Sequence, residues 1–562
     1  MISRRELMKT SVLAAAGGTL ARAAAPQAPH AAYPAPAGAQ GDRVIAREGY
    51  AVVDTPSGKV RGSSRNGIFT FKGIPYAALT AGAARFLPPQ KPTPWAAVRS
   101  SLTYGQVCPQ PPRAGWAHDE EAWLFNWDDG QPGEDCLRVN IWTPGLDSRK
   151  RPVMFWLHGG GYTAGSGQEL PSYDGESLAT RGDVVVVSIN HRLNVLGYLN
   201  LADYGTQYAD SANVGMLDIV AALEWVRDSI SNFGGDPGRV TIFGQSGGGG
   251  KVSTLMAMPS AKGLFHRAIV ESGSTIRVGT DEVSRATAAA LLKELGLDKD
   301  SVAKLNDIPM EQLQAAAIKI TRPPRLTGVP NFSRMSERPG WYPVMEGRVL
   351  PQQPFDPQAS PLSADVPLIA GSTLNEFTSG VGRPDAFSLT AEQLQKQAAE
   401  AFHDRASQII DSYKQLYPNA NPFQLWSVIA TSGVRRNVIE QCKRKAAQNS
   451  APAYCYQFAW QTPVLDGRLM SFHCSELAFV FNNTARCDRM TGDGEAARAL
   501  AAKMSDAWIA FARTGDPNTK GLPHWKPFTD AAKTTMVFDD VCQSRDNLDD
   551  AQLKLTEPPS QG

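Results

Sequence analysis

Short apolar runs alternate along the chain with longer amphipathic stretches. Runs dense in apolar or β-branched residues predict buried strands at residues 153–157, 184–189, 240–243, 268–270 and 367–370. Residues 219–230 place Val220, Leu223 and Val226 at the spacing of one helix face. Strand, helix and strand in succession predict an α/β protein with a mostly parallel sheet covered by helices.

Composition excludes several classes of protein. The chain has 562 residues, 42% hydrophobic and 20% charged, which is ordinary for a globular protein. Lys plus Arg number 56 and Asp plus Glu 55, so no basic excess favours nucleic acid as a partner. Seven Cys without a C-x-x-C pair argue against a zinc ribbon or a thioredoxin-type site, and no metal or other cofactor is predicted. No membrane-spanning helix is expected in the mature chain.

The first 25 residues have the features of an export signal. Arg4 and Arg5 precede a modest apolar stretch at 10–20, and small residues follow, which indicates a twin-arginine signal. Residues 26–47 are rich in Pro and Ala and predict a tether. Residues 48–555 are predicted to form one large domain with insertions. The protein is therefore expected in the periplasm or outside the cell, where disulfides can form.

A candidate nucleophile lies directly after the predicted strand at 240–243. Gly244-Gln245-Ser246-Gly247-Gly248 has the pattern G-x-S-x-G, and a predicted helix at residues 251–258 follows it. A sharp turn between strand and helix would lift the Ser246 hydroxyl above the sheet, and only small neighbours leave room for that turn. We therefore predict Ser246 as the nucleophile.

A serine nucleophile needs a base, and the base needs an acid to orient it. In this architecture the chain order is serine, acid, histidine. His473 is the predicted base because it opens a loop segment before an apolar run. Glu376 follows the predicted strand at 367–370 and is the predicted acid, with Asp385 as the alternative.

A Gly-rich loop is expected to stabilise the negative charge of the tetrahedral intermediate. His-Gly-Gly-Gly at 158–161 follows the predicted strand at 153–157. Backbone N–H groups of such a loop form an oxyanion hole, and the N–H of Gly247 would add a third donor.

Together these motifs resemble the type-B carboxylesterase family, which includes the cholinesterases and bacterial p-nitrobenzyl esterases. Further segments match it, at residues 71–77, 134–142, 232–237, 371–376 and 473–481. The resemblance implies an α/β-hydrolase fold with Ser246, Glu376 and His473 as the catalytic triad. It also implies an oxyanion hole formed by the amides of Gly160, Gly161 and Gly247.

The resemblance carries further expectations and two departures. It implies that Ser272 supports the acid and that Cys108 and Cys136 form a disulfide. The elbow reads Gln245-Ser246-Gly247 where the family usually has Glu-Ser-Ala, and the neutral Gln245 favours a neutral over a cationic substrate. Glu271 stands where the family commonly has Gln. The pairing of the other cysteines stays open, with at least one free thiol among Cys442, Cys455, Cys474, Cys487 and Cys542.

The segment between Cys108 and Cys136 is unusually aromatic, with Trp116, Trp123, Phe125 and Trp127. In the resembled family this segment borders the active-site entrance, so we expect Trp127, and also Trp123, to form an apolar wall for the substrate. The alternative is that these rings only pack onto the domain.

The predicted function is that of an exported serine carboxylesterase. Its expected partner is a small, neutral ester with an aryl or a short or medium alkyl group, and the oligomeric state stays open. The alternatives are a non-catalytic binding or adhesion protein on the same scaffold, or an amidase.

Overall fold

A computed structural model describes the chain at residues 43–112, 119–321, 337–376 and 384–557. The predicted export signal, the tether up to residue 42 and Trp116 lie outside these residues.

One large sheet organises the described residues. The strands in chain order are β1 (Val52–Thr55), β2 (Gly58–Arg61), β3 (Ser63–Arg65), β4 (Ile68–Pro75), β5 (Arg99–Ser100), β6 (Arg138–Thr143), β7 (Arg151–Leu157), β8 (Val185–Asn190), β9 (Gly235–Gln245), β10 (Arg267–Glu271), β11 (Gly279–Thr280), β12 (Val344–Met345), β13 (Leu368–Thr373), β14 (Ala453–Phe458), β15 (Thr535–Phe538) and β16 (Gln543–Arg545). The large sheet has 11 strands in the order β16-β15-β14-β13-β10-β9-β7-β8-β6-β4-β3.

The middle of this sheet is parallel, as the alternation of strands and helices predicts. Every neighbouring pair from β8 across β7, β9, β10, β13 and β14 to β15 is parallel. Both margins are antiparallel, with β6, β4 and β3 at one side and β16 at the other. Because parallel strands end at the same edge, residues that follow β7, β9 and β13 are brought together there.

Helices cover both faces of the sheet. They are α1 (Asp119–Phe125), α2 (Glu176–Gly182), α3 (Asn194–Tyr198), α4 (Val214–Ser229), α5 (Gly247–Leu255), α6 (Asp281–Glu294), α7 (Met310–Thr321), α8 (Ala391–Phe402), α9 (Ala406–Leu416), α10 (Pro422–Ala446), α11 (Leu477–Val480), α12 (Asp488–Thr491), α13 (Glu495–Thr514) and α14 (Asp550–Leu555). In the described residues, no helix has both the length and the apolar character needed to cross a bilayer.

Strand β7 shows how the sheet separates two hydrophobic clusters. Its Phe155 and Leu157 belong to one cluster, with residues of α4, α5 and α6. Met154 and Trp156 belong to the other, with residues of α2, α11 and α13. All seven residues of β7 are buried, because alternate side chains point to opposite covered faces.

The predicted strands are all present, but two helices begin earlier than expected. Helix α4 begins at Val214 rather than at residue 219. Helix α5 begins at Gly247, immediately after the predicted nucleophile, although its first turn consists of glycines. Glycine lacks helix propensity and a side-chain pattern, so tertiary packing rather than local preference starts α5 at this point.

A buried ion pair connects α4 to the segment after β8. Arg192 Nη2 lies 2.6 Å from Asp218 Oδ1, and the side chains are 1% and 0% exposed. Asp218 Oδ2 also accepts from the Arg192 backbone N–H at 3.0 Å. Arg192 Nη1 donates to the carbonyls of Arg85 and Leu87. The pair therefore ties three separate chain segments together.

We predict that Asp218→Asn strongly destabilises the fold, because it leaves the buried Arg192 guanidinium without its counter-charge. The expected loss in the free energy of unfolding is about 3–5 kcal/mol. The urea midpoint of tryptophan fluorescence measures it. Asp228→Asn is the matched control, since Asp228 pairs with Arg227 on the surface and such pairs contribute about 1 kcal/mol or less. Equal midpoints for the two variants would contradict the prediction.

Candidate active site

The turn between β9 and α5 places Ser246 in a strained conformation. Its φ of 57° and ψ of −123° lie outside the regions that side-chain-bearing residues ordinarily adopt. The Ser246 N–H donates to Glu271 O at 2.7 Å, which fixes the turn against β10. A Cβ at Gly248 would overlap the carbonyl oxygen of Leu157. The predicted strand-to-helix elbow is therefore present, and it depends on glycine.

Glu376 and His473 meet beside this elbow. His473 Nδ1 hydrogen-bonds Glu376 Oε2, and the His473 N–H donates to Glu376 O at 3.0 Å. An isolated bridge between Asn375 and Phe472 aligns the two segments. Glu376 is 1% exposed, whereas the alternative acid Asp385 is an exposed residue. The structure thus brings the predicted acid and base together.

The carboxylate of Glu376 is oriented by the strand that precedes it. Its Oε1 accepts the backbone N–H of Thr373, the last residue of β13, at 3.0 Å. The Glu376 N–H donates to Thr431 Oγ1 at 3.0 Å on α10. These bonds leave Oε2 for the imidazole, which sets the orientation of the ring.

Gln245 places a neutral amide against the imidazole. Its Nε2 lies 3.3 Å from His473 Nε2 and 3.4 Å from His473 Nδ1. Its Oε1 accepts from the Cys474 thiol at 3.2 Å. Gln245 is 1% exposed, so an uncharged group occupies the buried position next to Ser246.

Two further carboxyl groups lie buried near this pair. Ser272 Oγ donates to Glu476 Oε1 at 3.3 Å, so the hydroxyl that was expected to support the acid bonds a neighbouring carboxyl group. Glu271 Oε1 accepts from Trp508 Nε1 at 2.7 Å. Burial raises the pKa of Glu271 to about 8, and burial together with Glu376 and Glu271 raises the pKa of Glu476 to about 8. Both groups are therefore protonated at neutral pH and add no negative charge beside His473.

The Gly-rich loop after β7 packs directly onto the elbow. A Cβ at Gly159 would lie 3.4 Å from Ser246 Cβ, and one at Gly247 would lie 2.5 Å from the Gly161 nitrogen. Gly160 and Gly161 have φ of 83° and 59°. Within the described residues, the N–H groups of Gly160, Gly161 and Gly247 donate to no other protein group. The three predicted oxyanion donors thus lie around the candidate nucleophile.

The predicted Cys108–Cys136 disulfide is absent from the structure. Both residues are buried free thiols that contact each other through a side-chain hydrogen bond. Cys442 and Cys455 form a second contacting pair of buried free thiols. The Cys108–Cys136 bond stays a prediction for protein recovered from an oxidising compartment.

The aromatic segment before β6 approaches the site through Phe125. This ring is buried and packs edge-on against Phe472, with centroids 5.9 Å apart, and Phe472 directly precedes His473. Trp127 is half-buried, and its Nε1 donates to Asp129 at 2.8 Å. Trp123 is 45% exposed and carries Arg489 over its ring. The predicted roles of Trp127 and Trp123 in the substrate wall stay predictions.

Sequence reasoning did not identify Lys251 or Glu476 as neighbours of the site, and it named Phe125 only among the aromatic residues of its segment. Lys251 lies in α5, and its Nζ donates to His158 O of the Gly-rich loop at 2.8 Å. A charged residue inside a Gly-rich, otherwise apolar helix start was a usable signal for Lys251, because buried charges need specific partners. Glu476 stands three residues after His473, but only the fold shows that its side chain is buried beside Ser272.

Comparisons with known proteins agree with this geometry. The sequence profile of the Carboxylesterase family matches residues 49–556. The chain is 34% identical to para-nitrobenzyl esterase of Bacillus subtilis, over 91% of this chain and 99% of that protein. It is 33% identical to phenmedipham hydrolase of Pseudarthrobacter oxydans, over 87% and 95% of the two chains.

Solved structures give the same result. An esterase from Clostridium hathewayi, described as hydrolysing aliphatic aromatic polyesters, is 36% identical with a TM-score of 0.79, over 92% of this chain and 99% of that one. A carboxylesterase from Geobacillus stearothermophilus is 35% identical with a TM-score of 0.75, over 90% and 100%.

The chain belongs to the carboxylesterase family. Its fold is the α/β-hydrolase fold, as predicted, and it is a carboxylic ester hydrolase of the serine-hydrolase class.

We predict that Gly248→Ala lowers kcat about tenfold or more. The new Cβ would overlap the carbonyl oxygens of Leu157 and His158 and push the start of the Gly-rich loop away from the elbow, which weakens the oxyanion donors. Initial rates with a p-nitrophenyl ester measure the effect. Gly494→Ala is the control, because a Cβ there meets nothing within 4 Å. An unchanged kcat for Gly248→Ala would contradict the prediction.

Proposed function

We propose that this protein is an exported serine carboxylesterase that hydrolyses neutral carboxylic esters through an acyl-enzyme on Ser246. The observation that carries the proposal is the arrangement around the elbow. Ser246 stands at the start of α5, the His473–Glu376 pair lies beside it, and the Gly-rich loop packs onto it. A binding protein without catalysis would have no need of this arrangement.

In the acylation step, Ser246 Oγ attacks the ester carbonyl carbon while His473 takes the hydroxyl proton. Negative charge forms on the former carbonyl oxygen, where the N–H groups of Gly160, Gly161 and Gly247 stabilise it. The intermediate collapses as the imidazolium gives its proton to the leaving alkoxide. An alcohol departs, and the acyl group stays on Ser246.

In the deacylation step, water replaces the alcohol. His473 removes a proton from the water as it attacks the acyl carbon, and the same amides stabilise the second tetrahedral intermediate. Return of the proton to Ser246 releases the carboxylic acid. Glu376 keeps the imidazole oriented and stabilises its positive charge in both steps.

A neutral substrate follows from the charges around the site. Gln245 contributes no charge next to Ser246, and Glu271 and Glu476 are protonated at neutral pH. Among these described groups, Glu376 is therefore the one that carries a negative charge, and it is paired with His473. None of the others would attract a cationic substrate. Esters are favoured over amides because an alkoxide leaves more readily than an amine.

Export is proposed from the first 25 residues alone. Arg4 and Arg5, the apolar stretch and the small residues after it have the order of a twin-arginine signal. Cargo of this route is folded before export, so the buried thiols would reach the oxidising compartment inside a folded domain.

Ser246→Ala is expected to abolish ester hydrolysis while the folded state persists. Glu376→Gln should lower kcat by orders of magnitude, because His473 loses its orienting charge, and Asp385→Asn should change it little. An organophosphate should modify Ser246, as read by peptide mass spectrometry. Modification of a different serine, or full activity of Ser246→Ala, would refute the assignment.

A panel of matched esters and anilides would separate the esterase from an amidase.

The proposed substrate wall is tested by Trp127→Ala. We expect KM for an aryl ester to rise about tenfold and KM for methyl acetate to stay unchanged, because only the bulky group reaches the wall. Trp123→Ala is the comparison, since its exposed ring contacts Arg489. Equal effects on both substrates would return Trp127 to a structural role.

Export is tested by replacing both Arg4 and Arg5 with Lys. Folded precursor should then accumulate in the cytoplasm of an exporting host, as seen by cell fractionation. Arg22→Lys, which changes an arginine outside the pair, should leave export unchanged. Normal export of the double variant would indicate the general secretory route.

A further inference from the structure

Lys251 is a fully buried lysine five residues after Ser246. Its Nζ donates to His158 O at 2.8 Å and lies 3.4 Å from Gly159 O, and the residue is 0% exposed. Both acceptors belong to the Gly-rich loop that packs onto the elbow. Burying an amine is costly unless its N–H groups have hydrogen-bond acceptors. The two carbonyls therefore stabilise the buried Lys251, and Lys251 in turn restricts their orientation.

The geometry of the peptide bond connects these contacts to the oxyanion hole. In a trans peptide the carbonyl and the following N–H point in opposite directions. The carbonyl of Gly159 and the N–H of Gly160 belong to one such plane. A bond that draws Gly159 O towards Lys251 therefore turns the Gly160 N–H away from Lys251, towards the opposite side of the loop.

The loop does not fix this plane through its own backbone. The next plane is fixed internally, because Gly160 O accepts from the N–H groups of Thr163 and Ala164 at 3.0 Å. The plane between Gly159 and Gly160 lies between two glycines, whose backbones resist rotation least. Its carbonyl is instead held by side chains, Lys251 Nζ and His158 Nδ1 at 3.1 Å.

We propose that Lys251 is a positioning residue for ester hydrolysis, and that it holds the Gly159–Gly160 peptide in the orientation that presents the Gly160 N–H to the oxyanion. The inference rests on the proposed acyl transfer at Ser246 and adds a residue that this mechanism had not used.

The surroundings of Lys251 suit a fixed donor rather than a mobile charge. The carboxyl group that acts on its charge is Glu169, whose oxygens already accept from the Ser166 N–H and the Tyr173 hydroxyl. Burial, and then the charge of Lys251, lowers the pKa of the stacked His158 and His191 rings, so both rings lie near its amine. Burial lowers the pKa of Lys251 to about 7. A neutral amine still has two N–H donors, so it can serve both carbonyls on either side of that pH.

The test is Lys251→Met, which keeps the length and apolar stem and removes every donor. We expect kcat with a p-nitrophenyl ester to fall about 100-fold at nearly constant KM, because the lost interaction acts in the transition state. The inhibition constant of an aryl trifluoromethyl ketone, which forms a tetrahedral oxyanion on the serine, should rise by a similar factor.

Lys445→Met is the matched control. Lys445 is also 0% exposed, and its Nζ also donates to two backbone carbonyls, those of Ser363 and Ala364. Those carbonyls lie outside the site, so this variant should lose stability without losing kcat. Similar losses of kcat in both lysine variants would show a general structural effect and overturn the proposal.

Lys251→Gln gives a second variant that retains an amide donor, and it should recover part of the lost kcat. Wild-type kcat in folded Lys251→Met, or a change confined to KM, would overturn the proposal. So would failure of both Lys251 variants to fold while Lys445→Met folds, since Lys251 would then be structural. An active Ser246→Ala protein would instead refute the proposed function itself, so the two failures are distinguishable.

Discussion

The close approach of three backbone segments is the constraint on which the site depends. The end of β7, the Gly-rich loop after it and the start of α5 lie so near one another that a side chain at Gly247 would overlap the loop and one at Gly248 would overlap β7. The cost is a helix that begins with a turn of glycines, the least favourable ordinary helix residue. The same arrangement brings the proposed amide donors close to the candidate nucleophile.

Charge near the site is arranged by burial as much as by pairing. Glu376 receives its partner His473, whereas Glu271 and Glu476 are buried with hydrogen-bond donors that carry no charge. Three carboxyl groups therefore lie close together without three negative charges at neutral pH. In the proposed mechanism this arrangement gives the His473 imidazolium one oriented counter-charge, and the neutral Gln245 next to the candidate nucleophile fits the same pattern.

Much of the fold and site could be predicted because the signals are local. The strand runs, the glycines around Ser246 and the chain order of Glu376 and His473 are all visible in the sequence, and the structure brings these residues together. The early start of α5 was not predictable, because glycines have low helix propensity and the packing of this turn on Leu157 is a tertiary contact. Nor could the sequence show which carboxyl group Ser272 bonds, or that Lys251 reaches carbonyls more than 90 residues away, since both contacts depend on tertiary structure.

The protonated state of Glu271 and Glu476 has a thermodynamic consequence for the whole chain. In the unfolded chain these carboxyl groups ionise near their ordinary pKa, and in the folded protein they keep their protons up to about pH 8. At a pH between the ordinary pKa of glutamate and about 8, folding therefore takes up protons from the solvent. The contribution of the two groups to stability decreases as pH rises through that interval, because the native state binds more protons than the unfolded state. Most acidic side chains that are paired in native proteins act in the opposite direction, so this part of the core favours mildly acidic surroundings.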